Sequence, residues 1–346
     1  MSKYRQPFLI LLFSLFFYGT AIAANAPSLN ASHPDRYVVQ RGDTLWDISG
    51  RFLQVPWRWP EIWYVNPQVQ NPHLIYPGDI IELSYVNGKP RLSLRRGSMV
   101  KLSPRVRTDA FDSAIPTIPI SAIQQFLTRP YVLDKTELNN APYIVSFGED
   151  HIIGSTNMKA YVRSLKTEQP AHFDVVRPGK AYRDGESGEI LGYEGLSLGS
   201  AKLQRTGDPA TVMLTDMELE FIIGDRLIPE SQAASTSNFI PKAPDRPIHG
   251  SIISVLNGVS QIGQYNIVVL DRGRRDGLTP GHVLDINRRG LMVRDTVSHM
   301  TGTRVKLPDE PAGTLMVFRV FERVSFGLVM HATNAMHLGD RIINPN

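Results

Sequence analysis

The sequence contains no cysteine. That absence removes disulfides, thiolate metal sites, cysteine nucleophiles and a lipid anchor on an N-terminal cysteine. An excess of one charge is nearly missing as well: 37 Lys and Arg stand against 33 Asp and Glu, a formal +4. Binding to nucleic acid needs a sustained basic face, so that partner class is excluded. Long hydrophobic runs are scarce. The run from Phe8 to Tyr18 covers 11 residues, where about 20 are needed to span a bilayer as a helix. A multi-span membrane protein is therefore ruled out. With 42% hydrophobic and 20% charged residues in 346, the chain has the composition of a folded protein of two or three domains. Tryptophan is rare, yet all four (Trp46, Trp57, Trp59, Trp63) fall within one 18-residue window.

The first residues read as an address. Lys3 and Arg5 precede the apolar run, and Ala21-Ile22-Ala23 follows it, the order of a cleavable secretory signal peptide over residues 1–23. Cleavage after Ala23 takes away two basic residues and lowers the formal charge from +4 to +2. The expectation is an exported, periplasmic chain with no stable membrane span after cleavage.

Residues 24–35, with Pro27 and Pro34, read as a linker. Tyr37-Val38-Val39 is strand-like, Arg41-Gly42-Asp43 a turn, and Leu45, Trp46, Ile48 and Phe52 recur at helical spacing. Asp43 or Thr44 can cap that helix, because a short side-chain oxygen satisfies the free amides of a first turn. A second helix should start near Pro60, carry Ile62, Trp63 and Val65, and stop at Asn66-Pro67. Asp79–Leu83 then alternates as a strand. The unit is strand–helix–helix–strand.

The stretch Tyr37–Leu83 resembles the LysM domain family, placed at residues 36–84. The residues that carry the resemblance are Gly42-Asp43-Thr44-Leu45 early and Leu74-Ile75-Tyr76-Pro77-Gly78 late. The segment Gln54–Tyr64 departs from the family, with Pro56, Trp57, Trp59, Pro60 and Trp63 where a polar segment is usual. The resemblance implies binding of N-acetylglucosamine-containing glycan, peptidoglycan in a bacterium. The groove it implies has Gly42, Asp43, Thr44 and Leu45 on one side and Leu74, Ile75, Tyr76 and Pro77 on the other. Trp46 reads as core. Trp57 and Trp59 alternate around Arg58 on what reads as an exposed loop, either as further contacts for sugar or protein or as closure of a small core.

Downstream the expected fold class is mostly β: a small α+β LysM followed by β modules, a middle domain at 85–229 and a C-terminal module at 248–346. Lys89–Arg107 holds seven basic and no acidic residues and reads as a solvated hairpin or a surface for anionic wall peptides. A short helix is expected near Ile120–Leu127. Residues 230–247, rich in Pro, Ser and Ala, read as a linker. The segments on either side share motifs. Phe173–Gly179 pairs with Asn266–Gly273, Val212-Met213 with Val329-Met330, and Gly224-Asp225-Arg226 with Gly339-Asp340-Arg341. Either a β module is duplicated or β-rich chains reuse Gly-Asp turns.

Catalytic patterns are missing. There is no His-Glu-x-x-His, no Gly-x-Ser-x-Gly and no phosphate loop; His331 and His337 are too few for a zinc site, and Glu186-Ser187 sits in a turn-like Arg183–Gly188. No catalytic residue, metal or cofactor is expected. The layout of leader, single LysM, β-rich middle and C-terminal module with Val269–Gly273 and Gly339-Asp340-Arg341 resembles the TsaP family, secretin-associated proteins of type IV pili. Their C-terminal region is similar to that of the flagellar assembly protein FlgT. That resemblance implies a non-enzymatic adaptor holding an outer-membrane secretin ring to the wall. The alternatives are a peptidoglycan adaptor for a flagellum or secretion system, or a cell-wall hydrolase of unrecognised class.

Overall fold

A computed structural model describes residues 27–63, 74–95, 114–128, 131–148, 151–166, 171–230, 239–256, 261–295, 297 and 304–345. The expected signal peptide, the expected Asn66-Pro67 stop and residues 96–107 of the basic run lie outside these described residues.

The N-terminal unit runs β1 (Arg36–Val38), α1 (Leu45–Phe52), a 3-10 turn at Pro56–Arg58, α2 (Trp59–Trp63), β2 (Ile80–Val86) and β3 (Lys89–Arg95). Thr44, not Asp43, caps α1, accepting the Asp47 amide at 3.1 Å. Leu45, Ile48, Phe52, Trp59, Ile62, Trp63, Ile75 and Ile81 form its core. The sheet order is β1-β2-β3. The start of the basic run is thus a hairpin strand, turned at Asn87-Gly88, both with positive φ. Residues 28–35 do not behave as a linker. Leu29 bridges Leu53, the Asn30 amide donates to Phe52 O at 2.9 Å, and Gln54 N donates to Ser28 O at 3.0 Å. Backbone pairing holds them because Leu29 has a core to join.

The middle region holds α3 (Ile120–Thr128), β4 (Tyr131–Leu133), α4 (Lys135–Asn140), β5 (Tyr143–Phe147), β6 (Ile153–Gly154), β7 (Lys159–Arg163), β8 (His172–Arg183), β9 (Ile190–Arg205), β10 (Ala210–Met217), β11 (Phe221–Ile222) and β12 (Arg226–Pro229). Because β10 pairs with both β7 and β9, six strands close in the order β5-β7-β10-β9-β8-β12, with β4 added outside β9.

The C-terminal region holds β13 (His249–Val255), β14 (Ile267–Leu270), β15 (Val283–Arg288), β16 (Met292–Arg294), β17 (Arg304–Lys306), β18 (Glu310–Val320), β19 (Ser325–Ala332) and β20 (Arg341–Ile343). Its closed barrel runs β13-β14-β19-β18-β15-β20. Numbering each barrel's strands along the chain, both close in the order 1-2-5-4-3-6.

The shared topology sorts the sequence matches. Val212-Met213 and Val329-Met330 lie on the fifth strand of each barrel, and the two Gly-Asp-Arg turns both open the sixth. The pairing of Phe173–Gly179 with Asn266–Gly273 fails, since it sets a third strand (β8) against a second (β14). Gly-Asp turns do recur for local reasons. Asp79, Asp225 and Asp340 each accept the amide three residues before them, at 2.9, 2.7 and 2.7 Å, after a glycine with φ near +90°.

Residues 239–247 are not a free linker either. Phe239 is 5% exposed, and Lys242 brackets the C-terminal barrel by donating to Gly281 O and accepting from Val283 N. Composition suggested a linker because its polar part outweighs this one aromatic anchor.

One outer face of the C-terminal barrel is apolar: Ile267, Val269, Val283, Met316, Phe318, Phe326, Leu328 and Met330. Trp46 from α1, Ile118, Ile123 and Phe126 from the segment into α3, Tyr182 and Leu191 from the β8–β9 hairpin, and Phe239 all pack onto it. That hairpin is tied down by Arg272–Asp184 at 3.0 Å and by Gly185 N donating to Asp271 Oδ2 at 3.1 Å. The N-terminal unit therefore docks on the barrel most distant from it in sequence.

Candidate functional site

The two loops expected to form the groove meet through the start of the sheet. Val39 N donates to Asp79 O and Gly78 N donates to Val39 O, both at 2.8 Å. This places Gly42–Leu45 beside Leu74–Pro77. Gly42 and Gly78 adopt φ of 95° and 93°, the left-handed region in which a side chain is strained. Asp43 is used locally: its Oδ2 accepts from Gln40 N at 2.8 Å and from the Tyr37 hydroxyl at 2.9 Å. Burial and that carboxylate together raise the Tyr37 hydroxyl above its ordinary pKa. Leu45 and Ile75 are buried in the LysM core, so each offers the groove only its backbone. Leu74 is 44% exposed, and Tyr76 and Pro77 are half-buried.

The groove is not empty of protein. Segment 114–119 (Ala-Ile-Pro-Thr-Ile-Pro) crosses between the loops. Ile115 N donates to Ile75 O at 2.8 Å on one side. On the other, Leu45 N and Trp46 N donate to Pro116 O at 3.0 Å and Thr117 O at 3.1 Å. These last two amides belong to the first turn of α1 and have no partner within the helix. Ile115 joins the LysM core, Ile118 joins the barrel face, and Thr117 is 1% exposed. Three backbone hydrogen bonds and two buried isoleucines hold the segment in place.

Beside it lies a recess of about 590 Å³ lined by Arg41–Thr44, Asp47, Pro77 and Tyr265 of the barrel. The Tyr265 hydroxyl sits 3.5 Å from Asp47 Oδ1. Burial, then the Asp47 charge, raise its pKa. Sequence reasoning missed Asp47, Tyr265 and the 114–119 segment. The alternation of isoleucine and proline in Ile115-Pro116-Thr117-Ile118-Pro119 was the available signal, since it forbids helix and leaves apolar side chains to bury.

The two candidate tryptophans separate. Trp59 is 2% exposed and stacks edge-on to Trp63 at 6.4 Å inside the LysM core, so it is not a surface contact. Residues two apart point to opposite sides of a helical turn, whereas the alternation had suggested an extended loop. Trp57 turns outward, packs against the barrel cluster and lines a cleft of about 610 Å³ with Trp46, Asp47, Asp285, Thr314 and His331. Glu186 lies on an exposed turn. Among the described residues no group of three His, Cys, Asp or Glu could hold a metal ion, and no helix is long and apolar enough to cross a membrane.

Fold and groove define the class of the N-terminal unit: the LysM domain family matches residues 37–84, and those residues form a LysM domain, a module that binds and does not catalyse. A similar curated protein is the uncharacterized protein YqbP of Bacillus subtilis (strain 168), 36% identical over 62 residues. The match covers 15% of this chain and 28% of that protein's length.

Proposed function

We propose that this chain is a non-enzymatic periplasmic adaptor that binds peptidoglycan through its LysM domain and anchors an outer-membrane secretin ring of a type IV pilus. The LysM match over residues 37–84, with Gly42–Leu45 and Leu74–Pro77 brought side by side, carries the wall-binding half of this reading. Backbone amides and carbonyls near Gly42 suit the acetamido group of N-acetylglucosamine, and Leu74 and Pro77 suit a sugar's apolar face. The secretin half rests on the resemblance of the whole layout to secretin-associated proteins. The two barrels supply the protein surface that this half requires. A single weak wall contact repeated around a ring gains by avidity.

Two measurements test the two halves separately. The full chain should sediment with purified peptidoglycan sacculi; failure to do so, both intact and with residues 114–119 replaced by a Gly-Ser stretch, defeats the wall-binding half. Co-purification from native envelopes should recover the secretin. Recovery of flagellar ring or secretion-system proteins in its place would move the adaptor to another machine.

A further inference from the structure

The geometry points to a resident occupant of the LysM groove: the chain's own segment 114–119, which a glycan must displace in order to bind. This inference rests on the reading of the groove as a glycan site and adds its regulation. The segment contacts both groove loops through main-chain groups, with Ile115 N on Ile75 O and with Pro116 O and Thr117 O on Leu45 N and Trp46 N. A peptide unit and an N-acetyl group are both secondary amides, each with one N–H donor and one carbonyl acceptor. The segment therefore satisfies the same backbone groups by the same chemistry that an acetamido sugar would use.

Its anchors explain how the occupant could be released. Ile115 enters the LysM core and Ile118 the apolar face of the C-terminal barrel. The chain then continues into α3, whose Ile123 and Phe126 lie on that same face. Arg319 Nη1 also donates to Phe126 O at 3.2 Å, tying α3 to the barrel. An event that loosens α3 from the barrel, such as a partner docking there, pulls on the segment that fills the groove. The recess beside Gly42–Thr44 and Pro77 gives a glycan a place from which to begin exchange. The site is thus closed at rest and opens by exchange of one amide ligand for another.

The test compares the full mature chain with two variants: Ile115→Asp, which removes the side-chain anchor in the LysM core, and replacement of residues 114–119 by Gly-Ser-Gly-Ser-Gly-Ser. Binding is read by sedimentation with purified sacculi and by titration with the N-acetylglucosamine tetrasaccharide. Both variants should bind at least tenfold tighter than the wild type. Equal binding by all three chains would overturn the inference while leaving glycan binding intact. No binding by any of them would instead defeat the glycan reading itself. A second arm needs no variant. Adding the tetrasaccharide to the wild type should accelerate hydrogen exchange at the Ile115 amide, and a bound sugar that leaves Ile115 protected overturns displacement whether or not the variants fold.

Discussion

The two barrels close their six strands in the same order, yet they differ in what covers them. On β7 of the middle barrel the apolar residues face inward. Ala160 and Val162 on β7 are buried, while Lys159, Tyr161 and Arg163 turn outward. In the C-terminal barrel β14 is buried at all four positions: Val268 and Leu270 point inside, and Ile267 and Val269 join the outer face. The same holds for β19, where Phe326, Leu328 and Met330 lie outside and Val329 inside. A strand covered on one face alternates, and a strand covered on both reads as a continuous apolar run. One topology thus serves in the middle as a barrel that meets its neighbour through the β8–β9 hairpin, and at the C-terminus as the platform on which that hairpin, α3 and Trp46 all pack.

The sharpest way to break this comparison is to place the same charge on equivalent faces. Val269→Asp should cost about 5 kcal/mol, a large share of a domain's stability, because it buries an unpaired carboxylate. Tyr161→Asp on the outward face of β7 should cost about 1 kcal/mol or less. Chemical denaturation of the full chain checks both, and similar losses would erase the distinction.

A somewhat smaller effect is expected at the docking residue. Trp46→Ala should cost about 3–4 kcal/mol, since it empties a buried site between α1 and the barrel. All four tryptophans lie in the LysM unit. The intrinsic fluorescence of the remaining three should therefore report a release of that unit before the barrels unfold.

A matched pair of glycines tests the shared topology. Gly199 on β9 pairs with Met217, the last residue of β10, and a Cβ there would run into Asp216 O. Gly313 on β18 pairs with Ala332, the last residue of β19, and a Cβ would run into His331 O. Both sit on the fourth strand of a barrel, opposite the end of the fifth. Gly199→Ala and Gly313→Ala should each cost about 2 kcal/mol or more by the same backbone collision. A large loss at one and none at the other would argue that the barrels are built differently.

The smallest effect separates the barrels by pH. His282, 1% exposed at the head of β15, has its pKa lowered by burial and then by Lys242. Its neutral form is the one the fold favours, so the stability it supports is complete above the ordinary histidine value. That stability is lost as pH falls from there toward the lowered value. Denaturation of the wild type should show this loss and His282→Gln should not.

The LysM unit was legible because its signals are side chains at fixed spacing: Thr44 as a cap, Leu45, Ile48 and Phe52 as a helix face, Gly42 and Gly78 at turns. The expected short helix at Ile120–Leu127 is α3, and the β-rich character of the rest is what the strands show. Less legible was whatever depends on backbone partners or on covering a distant face. Segment 114–119 holds the groove through main-chain groups that no residue type announces. Trp59 was misplaced because two-residue spacing reads differently on a strand and on a helical turn. Residues 28–35 and 239–247 looked like linkers because one anchor in each, Leu29 or Phe239, is outweighed by polar neighbours. The docking of Trp46 on a barrel more than 200 residues away in sequence follows from the continuous apolar runs of β14 and β19, which had no visible cover until the fold supplied it.

The central claim is that the LysM unit rests docked on the C-terminal barrel with segment 114–119 in its groove. Amide hydrogen exchange of the full chain, without added glycan, tests it most directly. Leu45, Trp46 and Ile115 should exchange slowly and together, as amides bonded between the groove loops and the segment. Free, unprotected exchange at all three while the α1 interior stays protected would contradict it.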